Sequence, residues 1–298
     1  MDILVFGAGA IGSLFGGLLS KDNDVVLVGR KSHIDKINKK GLQIEGMTNL
    51  KADLLAVENI KNISFSPDII ILSVKSFDTL KAVENIKKLV KKNTIIISLQ
   101  NGLNNIEKIK KHVDEKQIVI CITTHGSVFL KSGCIKHTGI GETILGGISN
   151  DLDIRPIASI LNSAGIKTSI SKNILGDMWI KAIINSSINP LTSIFNCKNG
   201  YLHKNPVLKR IVEKVCEEST NISKSCGYDF EYNDMISKTH DVISDTKDNF
   251  SSMLQSIKKN RKTEIDSING IFVKKGEQKN LDVNLNNLLL YLVKSLEV

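Results

Sequence analysis

Short apolar runs alternate with helical periodicity through the first half of this chain. Residues 3–6, 25–28, 68–74, 94–99 and 118–123 are runs dominated by Ile, Leu and Val. Those at 68–74 (Asp-Ile-Ile-Ile-Leu-Ser-Val) and 94–99 (Thr-Ile-Ile-Ile-Ser-Leu) are too apolar to face water on either side. That predicts strands of a parallel sheet covered by helices on both faces. Helical spacing over 11–19 and 79–90 falls between the runs. Strand and helix in alternation predict a doubly wound α/β domain.

The texture changes after residue 140. Gly139, Gly141, Gly146 and Gly147 mark turns around a short strand. Long helical periodicity then covers 174–188, 206–224, 250–272 and 285–296. The expected architecture is an α/β Rossmann domain with a doubly wound, mostly parallel sheet over residues 1–168, followed by an all-α domain over 169–298. Pro190 and Pro206 are expected to bracket a loop holding Cys197, Asn199 and Gly200. The apolar last helix (Leu285, Leu288, Leu289, Leu290, Leu292, Val293, Leu296) either closes the core or forms a seam between two copies; closure of the core is the favoured reading.

Composition narrows the class. Of 298 residues, 41% are hydrophobic and 24% charged, as in an ordinary soluble globular protein. No apolar run reaches the ~20 residues that span a bilayer, and the start of the chain reads directly as a strand, so a cytoplasmic protein is expected. The five cysteines form no CxxC pair and no metal spacing, which predicts free thiols and no metal site. The net charge of +9 favours anionic ligands. Lysines are spread along the chain and aromatics make up only 5%, so no base-stacking surface and no nucleic-acid partner is expected.

Candidate chemistry starts at Gly7-Ala8-Gly9-Ala10-Ile11-Gly12, directly after the first strand and opening a helix. In such a loop the first glycine allows a tight turn, the second lets backbone approach a pyrophosphate, and the third lets helix and strand pack closely. The helix N-terminus offers N–H groups to the phosphates. The second strand ends at Val28-Gly29-Arg30-Lys31, with no carboxylate for the ribose hydroxyls of NAD. The Arg30 guanidinium suits the 2′-phosphate of NADP, although a solvated loop cation is the plain alternative. Lys75 and Asn101 follow the strand runs at the carboxyl ends where ligands bind; both also read as turn residues.

The most telling stretch of the second half is Trp179 to Pro190. Lys181, Asn185 and Asn189 recur at i, i+4 and i+8 and stack on one helical face. Ile180, Ile183, Ile184 and Ile188 hold the other faces. Asn is a poor helix former, so two of them in an otherwise apolar helix predict a wet pocket or buried backbone to satisfy. Glu264 and Asp266 lie in a basic stretch and by themselves read as surface helix charges.

Together these residues resemble the ketopantoate reductase (2-dehydropantoate 2-reductase) family. The resemblance is carried by the glycine loop, Ser73-Val74-Lys75, Leu99-Gln100-Asn101-Gly102, Trp179-Ile180-Lys181 with Asn185 and Asn189-Pro190-Leu191-Thr192, Asn196 to Gly200, Ser251 to Gln255, and Thr263 to Gly270. It spans nearly the whole chain. It implies that Lys75, Asn101, Ser127 and Glu264 join the loop residues and Arg30 in binding NADP. It implies Lys181 as the general acid, with Asn101, Asn185, Asn189, Asn199 and Ser252 holding a small 2-oxo acid. Two residues depart from the family's usual choices: Ser127, often alanine, and Ser256, often aspartate. The implied reaction is hydride transfer from NADPH to the C2 ketone of 2-dehydropantoate, giving pantoate, by a monomer or homodimer. A reductase of another 2-oxo acid and a non-catalytic NADP-binding sensor are the rival expectations.

Overall fold

The computed structural model describes residues 1–63, 66–149 and 151–297. The chain divides into two compact units, Met1–Gln100 with Asn105–Leu175, and Asn101–Asn104 with Gly176–Val298.

The first unit is built from β1 (Asp2–Phe6), α1 (Ala10–Leu19), β2 (Asp24–Val28), α2 (Lys31–Lys40), β3 (Leu42–Gly46), β4 (Leu50–Ala52), β5 (Leu55–Val57), β6 (Ile69–Leu72), α3 (Thr79–Ile86), β7 (Ile95–Ser98), α4 (Asn105–Ile109), β8 (Ile118–Thr123), β9 (Gly126–Lys131), β10 (Cys134–Gly139), β11 (Thr143–Gly147), α5 (Arg155–Ser163) and β12 (Thr168–Ile170). Eight strands form one sheet in the order β12-β11-β8-β7-β6-β1-β2-β5. Every pairing in it is parallel except β11 with β8. The Ile-rich runs explain the centre: all four residues of β6 are buried, and Ile69, Ile70 and Ile71 stand opposite Ile95, Ile96 and Ile97. A strand with both faces buried needs apolar side chains at every position. The mostly parallel sheet matches the expectation.

Four features differ from it. A second sheet, β4-β3-β10-β9, packs on the other side of α1. Its strands are partly exposed and short, so no continuous apolar run marks them. α3 stops at Ile86, short of the predicted 90. Residues 168–170 pair with β11, so the first unit runs past residue 168, to Leu175. Finally, Pro190 lies inside a helix and does not open a loop.

That helix is α6 (Ile174–Ile194). It is followed by α7 (Tyr201–Lys204), α8 (Pro206–Ser225), α9 (Tyr232–Asp245), α10 (Ser252–Ile257), α11 (Ile265–Glu277) and α12 (Asn284–Lys294). The second unit is all-helical among the described residues. Its larger core gathers Trp179, Ile183, Leu191, Val212, Cys216 and Phe272. The predicted helix over 250–272 is two helices, α10 and α11. Between them Asn260 takes a positive φ of 47°, in the left-handed region where a helix cannot continue. On α12, Leu289, Leu290 and Val293 are buried, as core closure requires, while Leu288 and Leu292 are exposed. All five cysteines are free thiols. No helix is long and apolar enough to cross a membrane, among the described residues.

Candidate active site

The turn after β1 is held by Val28 O, which accepts from Gly7 N at 3.0 Å and Ala8 N at 2.8 Å. Gly7 has φ +120°, and a Cβ there would lie 2.7 Å from Val74 N. A Cβ on Gly12 would lie 2.2 Å from Gly7 O and 2.3 Å from Ser73 Oγ. Both positions exclude any side chain. Gly9 is different: its Cβ would meet only Gly7 O, at 4.0 Å. The open side of Gly9 adjoins the first turn of α1, whose N–H groups have no intrahelical acceptor. α1 has no acidic residue in that turn. An open backbone approach beside a helix N-terminus fits the pyrophosphate of a dinucleotide.

Further residues surround this cradle. Gly29 packs against Ala8, which brings the Gly29-Arg30 turn onto the loop; Arg30 is exposed at the start of α2. Ser127 donates from Oγ to Ala10 O at 3.1 Å, so its hydroxyl braces the start of α1. Lys75 is half-buried, three residues beyond the end of β6. Gln100 Nε2 donates to Val74 O (2.9 Å) and Thr79 Oγ1 (2.8 Å), tying the ends of β6 and β7 together. Ser73 carries a function that sequence reasoning passed over: its Oγ donates to Gly7 O at 2.8 Å, clamping the glycine loop from the neighbouring strand. Its smallness at a strand end beside the loop was the available signal.

Near Ser127, Thr48 Oγ1 pairs with His137 Nδ1 (2.9 Å), and His137 Nε2 pairs with His125 Nδ1 (3.0 Å). Burial holds both histidines below their ordinary pKa, and the neighbouring His137 adds to the effect on His125. His125 Nε2 is buried without a hydrogen-bond partner among the described residues.

In the second unit α6 carries the polar stripe. Lys181 and Asn185 are half-buried, while Ala182, Ile183, Ile184, Ser186, Ser187 and Ile188 are buried. Asn189 is buried at 6% exposure. Thr192 lies one turn on: its Oγ1 contacts Asn189 O (3.0 Å) and donates to Ser251 Oγ (2.8 Å). Ser251 caps α10 by accepting from Leu254 N, and Ser252 is exposed in the first turn of that helix. Asn199 joins from the other side. Its backbone N donates to Asn249 O (3.0 Å) and its Nδ2 to Thr246 Oγ1 (2.8 Å). Asn199 Oδ1 is buried without a partner among the described residues. Hydrogen bonds through Thr192 thus tie Asn189 to Ser251, the neighbour of Ser252, while Asn199 is held separately by Thr246 and Asn249. Asn101, in the same unit, is half-buried and precedes Gly102, which packs on Ser267. Glu264 starts α11 at 6% exposure, so the reading of it as a surface charge is wrong; Asp266 is the surface residue, paired with Lys294 at 2.6 Å. Among the described residues no group of three or more His, Cys, Asp or Glu side chains could hold a metal.

A Rossmann unit with a dinucleotide cradle, joined in one chain to an all-helical unit with a lysine–asparagine stripe, defines a nucleotide-dependent oxidoreductase. The family model described as ketopantoate reductase PanE/ApbA matches residues 3–150, and its C-terminal counterpart matches 173–297. The chain belongs to the ketopantoate reductase family. It is 39% identical over 300 residues to the 2-dehydropantoate 2-reductase of Pyrococcus horikoshii, covering 100% of this chain and 98% of that one. Identity to the Archaeoglobus fulgidus 2-dehydropantoate 2-reductase is 32%, covering 99% and 97%. Among solved structures, D-mandelate dehydrogenase with NADH and anilino(oxo)acetate superposes with TM-score 0.95 at 28% identity, over 100% of this chain and 98% of that one. The PanE/ApbA family ketopantoate reductase from Ralstonia eutropha gives 0.91 at 25%, with the same coverage.

Proposed function

We propose that this chain reduces 2-dehydropantoate to (R)-pantoate with NADPH, in the cytoplasm, on the route to pantothenate and coenzyme A. One observation carries the reading: Lys181 and Asn185 alone stay half-open on a stretch of α6 whose intervening residues are buried. A helix keeps polar groups there for a ligand.

The glycine loop and the first turn of α1 would hold the pyrophosphate, Arg30 the 2′-phosphate, and Lys75, Asn101, Ser127 and Glu264 the rest of the nucleotide. Bound NADPH supplies the hydride for C2 of the oxo acid. As the C2 ketone gains that electron pair, negative charge develops on its oxygen. The Lys181 ammonium stabilises the charge and gives that oxygen its proton, completing the hydroxyl. Asn185, Asn189 and Asn199 would hold the substrate's hydroxyl end, with Ser252 on its carboxylate; Asn199 Oδ1, buried without a partner, is a ready acceptor.

Lys181→Ala is expected to lower kcat about 10²- to 10⁴-fold, with nucleotide Kd unchanged. Near-native turnover would remove Lys181 from the mechanism. A second reading, reduction of a different 2-oxo acid, is favoured by the likeness to D-mandelate dehydrogenase, which was solved with NADH. A panel of 2-oxo acids, followed by NADPH and NADH absorbance in parallel, separates the two.

A further inference from the structure

Pro190 sits inside α6, directly after Asn189, the last member of the stripe. Proline has no N–H and its ring crowds the carbonyl four residues back. The carbonyl left without its helical donor is Ser186 O, on a residue that is 0% exposed. Water cannot reach it easily, and a buried unpaired carbonyl is costly. A side chain from another helix takes the vacated place: Asn269 Nδ2, on α11, donates to Ser186 O at 3.1 Å.

Asn269 does not stand alone. Its Nδ2 also donates to Asn286 Oδ1 on α12, at 2.9 Å. Asn286 Nδ2 donates in turn to Glu218 Oε1 (2.8 Å) and Ser219 Oγ (3.0 Å) on α8. The Glu218 carboxylate also accepts Leu285 N (2.9 Å) and Asn286 N (2.8 Å), at the start of α12. A carboxylate only accepts, so it turns the Asn286 amide one way round, and Asn286 Oδ1 then turns Asn269. The other end of Asn269 is unsatisfied: Oδ1 is buried with no partner among the described residues. An apolar side chain would avoid that loss, so the asparagine is kept for its donor.

We propose that Asn269 is a positioning residue for the reaction: it supplies the hydrogen bond that Pro190 removes from α6, and so holds the turn from Ser186 to Pro190, which carries Asn189, at a fixed angle to the preceding turns carrying Lys181 and Asn185. The inference rests on Lys181 as the proton donor of the proposed function. A shift of an ångström between reacting groups costs rate while leaving distant binding intact.

The test is a double-mutant cycle between positions 269 and 190, read as kcat, KM for 2-dehydropantoate, nucleotide Kd and melting temperature. Asn269→Ala should lower kcat about tenfold or more, with nucleotide Kd unchanged. Pro190→Ala restores a backbone N–H for Ser186 O. In that background the same Asn269→Ala change should cost about threefold or less. Equal losses in both backgrounds, or a native kcat in Asn269→Ala, would overturn the proposal. A purely structural role would lower the melting temperature without coupling kcat to position 190. Should Asn269→Ala not fold, Asn269→Ser takes its place in the cycle and the same comparison decides. A native enzyme that turns over no 2-oxo acid refutes the proposed function instead, so the two failures are distinct.

Discussion

At the scale of single residues, the three glycines of the loop do different jobs, and substitution separates them. At Gly12 a methyl group would sit 2.2 Å from Gly7 O and 2.3 Å from Ser73 Oγ. One of these is backbone, so the clash cannot relax by a side-chain turn. Gly12→Ala should lower the melting temperature, because overpacking of this kind costs about 1–3 kcal/mol. At Gly9 the methyl group meets nothing nearer than 4.0 Å, and φ is −79°, which alanine adopts freely. Gly9→Ala should melt like the native chain yet bind NADPH at least about tenfold more weakly, since the methyl group occupies the phosphate's approach. Thermal melts and nucleotide titration of both variants check this; equal melting losses in the two would show that Gly9 is a structural glycine. The steric demands at Gly7 and Gly12 were legible in the sequence because they are properties of backbone without a Cβ. Ser73 was not, because its role depends on which strand lies beside β1, a fact of pairing and not of local pattern.

At the scale of elements, legibility followed burial. β6 and β7 are covered on both faces and announce themselves as Ile runs. β9 and β10 bury only part of their residues, and β10 pairs with β3, which precedes it by some ninety positions (Cys134 with Gln43). Nothing local marks such strands. Helical periodicity likewise ran through the α10–α11 break, because apolar spacing persists on either side while a left-handed Asn260 does the breaking. The unforeseen sheet holds the histidine pair, and this gives it a pH dependence. His125 and His137 have folded-state pKa values below the ordinary 6.5 through burial. As pH falls below 6.5 the unfolded chain gains protons that the folded chain does not accept, so stability drops; above that range both states are neutral and the effect vanishes. The melting temperature should fall from pH 7.5 to 5.5, and His137→Asn should flatten that slope. A native melting temperature that stays level across the interval would count against buried neutral histidines.

At the scale of the whole molecule, the net charge of +9 acts on every anionic ligand that approaches. The proposed nucleotide carries a 2′-phosphate that NADH lacks, and the oxo acid carries a carboxylate. Long-range attraction of this kind is screened once the Debye length, about 10 Å at 0.1 M salt, shrinks toward about 3 Å at 1 M. Contacts inside a cradle are screened far less than the field that steers ligands in. KM for NADPH should therefore rise several-fold between low and high salt, and KM for NADH should rise less, because it carries less negative charge. At short range the proposed contact is Arg30, exposed at the N-cap of α2 with no carboxylate in that helix's first turn to oppose it. Arg30→Ala should bring the two nucleotides closer together at every salt concentration, chiefly by raising KM for NADPH, while the salt dependence that comes from the rest of the surface persists. Steady-state kinetics with both nucleotides across a salt series measures the two effects in one experiment. If Arg30→Ala left the ratio of the two KM values untouched, the 2′-phosphate would have to be held elsewhere, and the choice of NADPH would rest on the overall charge alone.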